Sequence, residues 1–318
     1  LKKRQRESYK RMNLETRGSS EITIMAADPN GCPNWFSDIL VLTKLRVNIF
    51  VVATAFVGFA LNTSILSNWL LLLHTLIGTG LVAGGAAAAN QTLEWRFDQD
   101  MVRTHNRPLA AGRFFRRTGI WVSVIFLTAG CLWLDAAVNL RAMLLAFLTF
   151  LIYVFAYTPL KRFTSACILV GAVAGALPVL IGWAATGADF GLWTAVAFTI
   201  LFLWQIPHFL AIAWWCRSDY LRAGFHVLPF DDQRGYWTAG SAFVFAAATV
   251  VISFVPVWLH QVTGWYLPGG IALGTVILFL SARFLIERSI RAARSLFIAS
   301  LIYLPCLYLL MLLCKKQP

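Results

Sequence analysis

WLLLLHTLIGTGLVAGGAAAA, residues 69–89, runs for 21 residues without Asp, Glu, Lys or Arg. The hydrocarbon core of a bilayer is about 30 Å thick, and a helix of about 20 apolar residues crosses it. A membrane-spanning β-barrel would instead need segments of about ten residues with alternating polarity. The stretch therefore predicts a transmembrane helix.

Apolar runs of similar length recur along almost the whole chain of 318 residues, which is 59% hydrophobic and 13% charged, with a mean hydropathy of +0.69. Soluble domains average about 45–50% apolar and about 25% charged residues, so this chain has too few polar side chains to cover a water-soluble globule. The composition predicts an all-α integral membrane protein. The length rule places nine transmembrane helices, at residues 47–66, 69–89, 118–134, 142–157, 166–185, 192–215, 239–259, 268–284 and 296–313.

The segment before the first apolar run is polar and basic, and it lacks an apolar period. We expect residues 1–38 to form a disordered tail and residues 39–318 to form one nine-helix membrane domain. Met25 is an alternative start of the natural chain.

The basic residues predict the orientation of the nine helices, because short cytoplasmic loops retain Lys and Arg. With the N-terminus inside, 24 of the 27 Lys and Arg residues lie on the cytoplasmic side, and Arg141, Lys315 and Lys316 lie on the other. The net charge of +13 then reflects the membrane topology, and the basic residues would also attract anionic membrane lipid or an anionic substrate. It requires no nucleic acid.

Two loops on the predicted cytoplasmic side are long and rich in both signs of charge. The first, NQTLEWRFDQDMVRTHNRPLAAGR, carries Asn90, Glu94 and Asp98 at four-residue intervals, so they share one face if the second helix continues. Carboxylate and amide oxygens suit Mg²⁺, and the arginines that follow, including Arg103 and Arg107, suit phosphate oxygens. The spacing alone leaves two interpretations open: a Mg²⁺–diphosphate site, or solvated ion pairs with arginines that bind lipid head groups.

The second charged loop follows the sixth predicted helix, where Asp219 lies between Arg217 and Arg222. We expect Asp219 to face Asp98 across a cavity.

Within the sixth helix, His208 lies in an otherwise apolar stretch together with Trp204 and Gln205. Ionisable side chains at membrane depth are costly and are often functional. A hydrogen-bonded packing role is the alternative for a lone histidine.

The segment YTPLKR ends the fourth predicted helix and places Tyr157, Lys161 and Arg162 on the same cytoplasmic rim. The basic pair suits either an interfacial anchor or a further cationic contribution to one anionic ligand.

Taken in order, these segments resemble the UbiA-type intramembrane prenyltransferases and, within that superfamily, the heme O synthase branch. The resemblance includes YTPLKR, GALPVLIGW and WQIPHFLAIAW followed by DYLRAG, and it covers roughly residues 40–310. The first signature of the family, N-x3-[ED]-x3-D-x2-M-x-R-T-x2-R-P, is met by Asn90, Glu94, Asp98, Met101, Arg103, Thr104, Arg107 and Pro108.

The resemblance implies a nine-helix bundle with a central cavity open to the cytoplasmic side. It implies an enzyme that joins the farnesyl group of farnesyl diphosphate to a vinyl group of heme B, with water completing the side chain of heme O. It implies Mg²⁺ as cofactor, with the catalytic and metal-binding residues Asn90, Glu94, Asp98 and Asp219. Diphosphate would be bound by Arg103, Arg107, Lys161, Arg162 and Arg222. The heme side would include Tyr157, Trp204, Gln205 and His208.

Among the departures from the family pattern, two concern the acidic motifs. Glu94 stands where Asp is commoner, which keeps the charge and lengthens the side chain. Ala223 stands four residues after Asp219, so the second acidic motif is incomplete. A second Mg²⁺ would need Asp231 or Asp232 to fold back.

Two rival functions remain at this stage. One is a UbiA-type prenyltransferase that acts on a quinone precursor or a chlorophyll-like acceptor. The other is a polytopic transporter that uses Asp98 and Asp219 as a proton or cation relay. Carboxylates near the rim and beside arginines favour the enzyme. We expect a location in the bacterial plasma membrane, with the mitochondrial inner membrane as the alternative, and the resemblance adds a heme A synthase as a possible downstream partner.

Overall fold

The computed structural model describes residues 34–316, and most of the predicted tail therefore lies outside the described residues. Within that range, nine helices are long and apolar enough to cross a membrane. A short helix, α1 (Trp35–Leu42), precedes them, and another, α8 (Arg217–Arg222), follows the sixth. The nine are α2 (Leu45–Asn62), α3 (Trp69–Asp100), α4 (Arg116–Ala137), α5 (Leu140–Leu160), α6 (Cys167–Ala185), α7 (Leu192–Trp215), α9 (Tyr236–Trp258), α10 (Tyr266–Glu287) and α11 (Ile290–Cys314).

All nine predicted spans are confirmed, and α3 extends furthest beyond its predicted end. It contains 32 residues, which gives a length of about 48 Å at 1.5 Å per residue, well beyond the hydrocarbon thickness. Residues 90–100 contain no Gly or Pro and include good helix formers such as Leu, Glu and Gln. The helix therefore continues past residue 89 and carries the first charged motif on its last three turns.

Apart from the end of α3, the two largest boundary errors, of four and six residues, occur where short polar side chains redirect the backbone. The first span ends at Asn62 instead of residue 66. The turn that follows is held by Asn68, whose Nδ2 donates to Thr63 Oγ1 at 3.2 Å and to Ser64 O at 3.3 Å. The last span begins at Ile290 instead of residue 296, because the hydroxyl of Ser289 accepts from an N–H in the first turn and caps the helix.

The centre of the bundle is α6, whose most apolar window is 72% buried, whereas the window of α4 is only 17% buried. The crossing of α2 and α6 is closed by glycines: a Cβ on Gly58 would lie 1.9 Å from Val179 O, and one on Gly182 would lie 1.8 Å from Ala55 O. Small residues of this kind let membrane helices approach closely. Since α3 packs against α2, α4, α5 and α6, this long helix is held in place by four neighbouring helices.

Near its end α5 contains one π-helical turn, from Ile152 to Tyr157. Such turns shift the side chains that follow and are frequent at functional sites. Here the turn directly precedes Thr158 and Lys161, whose side chains reach α3.

Candidate functional site

Asn90, Glu94 and Asp98 lie on three successive turns of α3 and are almost fully buried, with exposed fractions of 0%, 3% and 1%. The helix thus continues beyond its predicted end, as the shared face requires, and the interpretation of these acids as solvated side chains is wrong. A buried carboxylate is costly unless it is paired. The face must therefore be neutralised by groups from elsewhere in the chain.

Each carboxylate has its own basic partner from a different segment. Lys161 Nζ, just after α5, donates to Glu94 Oε1 at 2.9 Å, and Arg107 Nη1, in the loop after α3, lies 2.8 Å from both oxygens of Asp98. Burial disfavours the Lys161 ammonium, but the charge and hydrogen bond of Glu94 outweigh it and raise the pKa of Lys161 well above its ordinary value. Both cations therefore contact the acidic face of α3, which we define as Asn90, Glu94 and Asp98. That they bind diphosphate stays a prediction.

Lys44 is a third cation at this face, and the sequence had not marked it. It lies at the break between α1 and α2 in a left-handed conformation, with φ of 51°, and its Nζ donates to Asn90 Oδ1 at 2.6 Å. Asn90 Nδ2 donates in turn to Thr158 Oγ1 at 3.0 Å. The break is held against α3 by Gln91, whose Nε2 donates to two carbonyl oxygens near the end of α1, both at 2.8 Å.

Burial, followed by the positive charges of Arg107 and Lys161, lowers the pKa of Lys44 to about 7. The fold thus places an ammonium where its charge is poorly compensated, which favours the arrival of an anion. In the sequence, a lysine directly before an apolar run is equally typical of an interfacial anchor. Only the hydrogen bond from Lys44 to Asn90 on α3 distinguishes an anion-binding lysine from an interfacial anchor.

The remaining side chains of the YTPLKR segment divide between two places. The ring of Tyr157 lies beside Lys161, with Nζ 4.4 Å from the ring centroid. Arg162 turns away from the acids: its Nη2 donates to Leu93 O at 3.3 Å, and its guanidinium lies 4.2 Å from the ring centroid of Phe97. Lys161 therefore belongs to the acidic face of α3, whereas Arg162 covers its flank.

The second charged loop lies against the first. Arg103 Nη2 donates to the hydroxyl of Tyr220 at 3.2 Å, and the rings of Phe97 and Phe225 have centroids 5.3 Å apart. The expectation that the two loops converge at one end of the bundle agrees with these contacts.

Asp219, on α8, forms an ion pair with Arg222. Tyr220 is the largest influence on Arg103, and together with the charge of Asp219 it raises the pKa of Arg103 above its ordinary value, although burial opposes this. Asp98 and Asp219 thus lie in separate ion pairs, and the segments that carry them meet where Arg103 contacts Tyr220. That the two carboxylates share one ligand stays a prediction.

The oxygen donors of the acidic face suit a metal ion that arrives with its own ligands. Among the described residues, no three His, Cys, Asp or Glu side chains form a group that could hold a metal ion. The face instead offers two carboxylates and an amide oxygen, which fits Mg²⁺ because that ion usually combines one or two carboxylates with phosphate oxygens and waters.

Asp232 adds nothing to this donor set. Its carboxylate accepts from the backbone N–H groups of Gly235 and Thr238, each at 2.8 Å, and from the Thr238 hydroxyl at 3.0 Å. Asp232 therefore caps the start of α9.

The three predicted residues of α7 point in two directions. Trp204 Nε1 donates to Ser300 O at 2.8 Å, His208 Nδ1 lies 2.8 Å from Ser300 Oγ, and the two rings stack at 4.9 Å. Gln205 faces α6, where its Nε2 donates to Ala172 O at 3.2 Å. The structure thus brings Trp204 and His208 together against α11 and separates them from Gln205.

Comparison with known proteins extends these observations. Residues 51–304 match the UbiA prenyltransferase family. The chain is 39% identical over 285 residues to a protein named protoheme IX farnesyltransferase from Solibacter usitatus. The aligned region covers 87% of this chain and 98% of that relative. A relative of the same name from Koribacter versatilis is 37% identical over 307 residues, covering 92% of this chain and 98% of the relative.

Two solved structures share the fold at low sequence identity. One, from a study of digeranylgeranylglyceryl phosphate synthase in membranes, has a TM-score of 0.71 at 16% identity and covers 88% of this chain and 98% of its own. The other is a UbiA homolog from Archaeoglobus fulgidus bound to DMAPP and Mg²⁺, with a TM-score of 0.61 at 15% identity, covering 86% and 99%. Since the family match spans most of the membrane domain and the relatives match over nearly their whole length, the chain belongs to the UbiA prenyltransferase family.

Proposed function

We propose that this chain transfers the farnesyl group of farnesyl diphosphate to a vinyl group of heme B, giving heme O and diphosphate. The observation that carries the reaction class is the buried face of α3, where two carboxylates and an amide lie against three cations from separate segments. The choice of acceptor rests on the relatives named protoheme IX farnesyltransferase.

Mg²⁺ is the cofactor in this proposal. Asn90, Glu94 and Asp98 would hold the ion, with Asp219 contributing from the second loop. When bound, the ion adds positive charge at the diphosphate oxygens, where negative charge develops during the reaction. A UbiA homolog from A. fulgidus with the same fold was solved bound to DMAPP and Mg²⁺, which supports Mg²⁺ as the ion of this proposal.

The protein's own cations would stabilise the leaving group. Cleavage of the allylic C–O bond leaves the electron pair on diphosphate, and Lys44, Arg107 and Lys161 are already placed at the acidic face to receive that charge. Arg103, which contacts Tyr220 of the second loop, would add to them. Preorganised charge of this kind usually supplies the largest part of catalysis. In this proposal Arg162, on the flank of α3, and Arg222, paired with Asp219, add positive charge at the edge of the diphosphate site.

The acceptor needs no nucleophilic side chain. The π electrons of the vinyl group form the new bond to C1 of the farnesyl chain, water adds to the electron-deficient vinyl carbon that remains, and one proton is released. The apolar bundle would exclude water from the allylic cation until the acceptor is in place. We assign Trp204 and His208 to the heme side, with Tyr157 between the two substrates, whereas Gln205 joins α6 to α7.

We also propose that the basic end of the bundle faces the cytoplasm of a bacterium, with the enzyme in its plasma membrane. The excess of Lys and Arg at that end supports this orientation. Both substrates are amphiphilic and would enter from membrane lipid, and heme O would pass to a heme A synthase. Residues 39–318 would act as one catalytic domain.

The test is product formation by purified protein in lipid nanodiscs. With farnesyl diphosphate, heme B and Mg²⁺, we expect a heme heavier by one farnesyl group and one hydroxyl group, together with free diphosphate. A parallel reaction would offer an aromatic acid in place of heme B. Prenylation of the aromatic acid without reaction of heme would overturn the acceptor, and failure to release diphosphate with either acceptor would overturn the transferase.

A further inference from the structure

Ser300, on α11, links two aromatic side chains of α7. It is fully buried, with 0% of its surface exposed. Its carbonyl oxygen accepts from Trp204 Nε1 at 2.8 Å, and its hydroxyl oxygen lies 2.8 Å from His208 Nδ1. A single serine therefore fixes the orientation of both rings.

The direction of the hydrogen bond between Ser300 and His208 follows from the donors available. Ser300 Oγ also lies 2.7 Å from Phe297 O, a carbonyl that can only accept. A hydroxyl carries one proton, and that proton is committed to Phe297. Ser300 Oγ must therefore accept from His208, so Nδ1 carries the imidazole proton. The assignment comes from the hydrogen-bond network and not from observed hydrogens.

The other ring nitrogen, Nε2, then presents a lone pair in the neutral imidazole. It forms no hydrogen bond with any described residue, and His208 is only half-buried. The rings of Trp204 and Phe297 flank the imidazole, with centroids 4.9 Å and 4.7 Å away. These two rings hold the imidazole in place.

We propose that Ser300 is a positioning residue that holds His208 in the tautomer whose Nε2 ligates the iron of heme B during farnesyl transfer. This rests on the proposed function, which places His208 on the heme side. Histidines that bind a metal usually donate their second ring N–H to a neighbouring acceptor, which fixes the tautomer and the ring orientation. The hydroxyl of Ser300 supplies that acceptor.

The experiment is a titration of ferric heme B into purified protein in nanodiscs without farnesyl diphosphate, followed by absorption and electron paramagnetic resonance spectra. We expect nitrogen ligation in the wild type and its loss in His208→Ala. Ser300→Ala should weaken heme binding about 10- to 100-fold and change the ligand spectrum, whereas Ser300→Thr keeps the hydroxyl and should restore both.

Ser281→Ala is the matched control. Ser281 is equally buried, and its hydroxyl makes the same kind of bond to a carbonyl three residues earlier, Leu278 O at 2.9 Å, without a histidine partner. Equal thermal unfolding of Ser300→Ala and Ser281→Ala would assign the difference in heme binding to ligation.

Two results would contradict different parts of this scheme. Heme binding and spectra that are unchanged in His208→Ala would remove His208 from the heme side and overturn the ligation. Loss of ligation in His208→Ala with wild-type behaviour of Ser300→Ala would overturn only the positioning role of Ser300.

Discussion

Lys44 is the site residue that the sequence did not mark, and replacing it with Met is the sharpest test of the acidic face. The substitution removes the 2.6 Å hydrogen bond to Asn90 and one of the three cations. In the proposed complex the Lys44 ammonium donates to a diphosphate oxygen, and a hydrogen bond between charged groups is worth about 1.5–3 kcal/mol. At 1.4 kcal/mol per factor of ten, binding of farnesyl diphosphate should weaken about 10- to 150-fold.

The stability of the fold should respond differently from the binding. Burial lowers the pKa of Lys44 to about 7, so its ammonium is a burden on the folded state near neutral pH. Met fills a similar volume without charge, and we expect the unfolding midpoint to stay within about 4 °C of the wild type. A loss of binding without a loss of stability is typical of a ligand-binding side chain.

The assay compares Lys44→Met with Arg46→Met in the same nanodiscs. Arg46 lies two residues later and is exposed, so its loss should change the dissociation constant for farnesyl diphosphate less than twofold. Heme binding serves as an internal reference, because neither residue belongs to the proposed heme side. Equal diphosphate affinity of the two variants would refute the role of Lys44 and leave it an interfacial anchor.

Four further predictions concern the metal site and the bundle. Asp98→Asn should lower turnover about 100-fold or more while folded protein is still obtained, and near-normal turnover would remove the proposed metal ligand. Chelation of Mg²⁺ should stop diphosphate release and renewed Mg²⁺ should restore it, whereas release in the presence of chelator would contradict the cofactor. Asp232→Ala should lower the free energy of unfolding by about 0.5–2 kcal/mol through the lost helix cap while farnesyl transfer persists, and a selective loss of turnover would instead place Asp232 at the metal. Gly182→Ala should destabilise the fold by about 1–3 kcal/mol, because its Cβ would lie 1.8 Å from Ala55 O, whereas Gly240→Ala, with open space around it, should be neutral by thermal unfolding.

The sequence predicted features that depend on neighbours along one helix. The spacing of Asn90, Glu94 and Asp98 defines a helical face wherever α3 continues, and the absence of Gly and Pro beyond residue 89 lets it continue. The position of Lys44 depends on a contact between residues 46 positions apart, together with a left-handed backbone at the break. Neither has a local signature, so the sequence alone did not distinguish Lys44 from an anchor.

The residues of α7 illustrate the opposite case, in which the information was present in the sequence. Trp204 and His208 are four positions apart and share a helical face, whereas Gln205 is turned about 100° from Trp204. Adjacency in the chain suggested one heme-side group, but the helical period separates Gln205, and the structure places it against α6. Periodicity is therefore a better guide than adjacency for assigning side chains to one ligand.

The pairing of charges explains why the three cations of the acidic face are not equivalent as probes. Removing Lys161 or Arg107 leaves a buried carboxylate without its partner, and breaking such a pair costs about 3–5 kcal/mol. Any loss of activity in those variants would therefore be mixed with a loss of folded protein. Lys44 contacts the neutral amide of Asn90, so its removal leaves no unpaired charge behind. Of these three cations, Lys44 is thus the one whose effect on diphosphate can be measured apart from its effect on the fold.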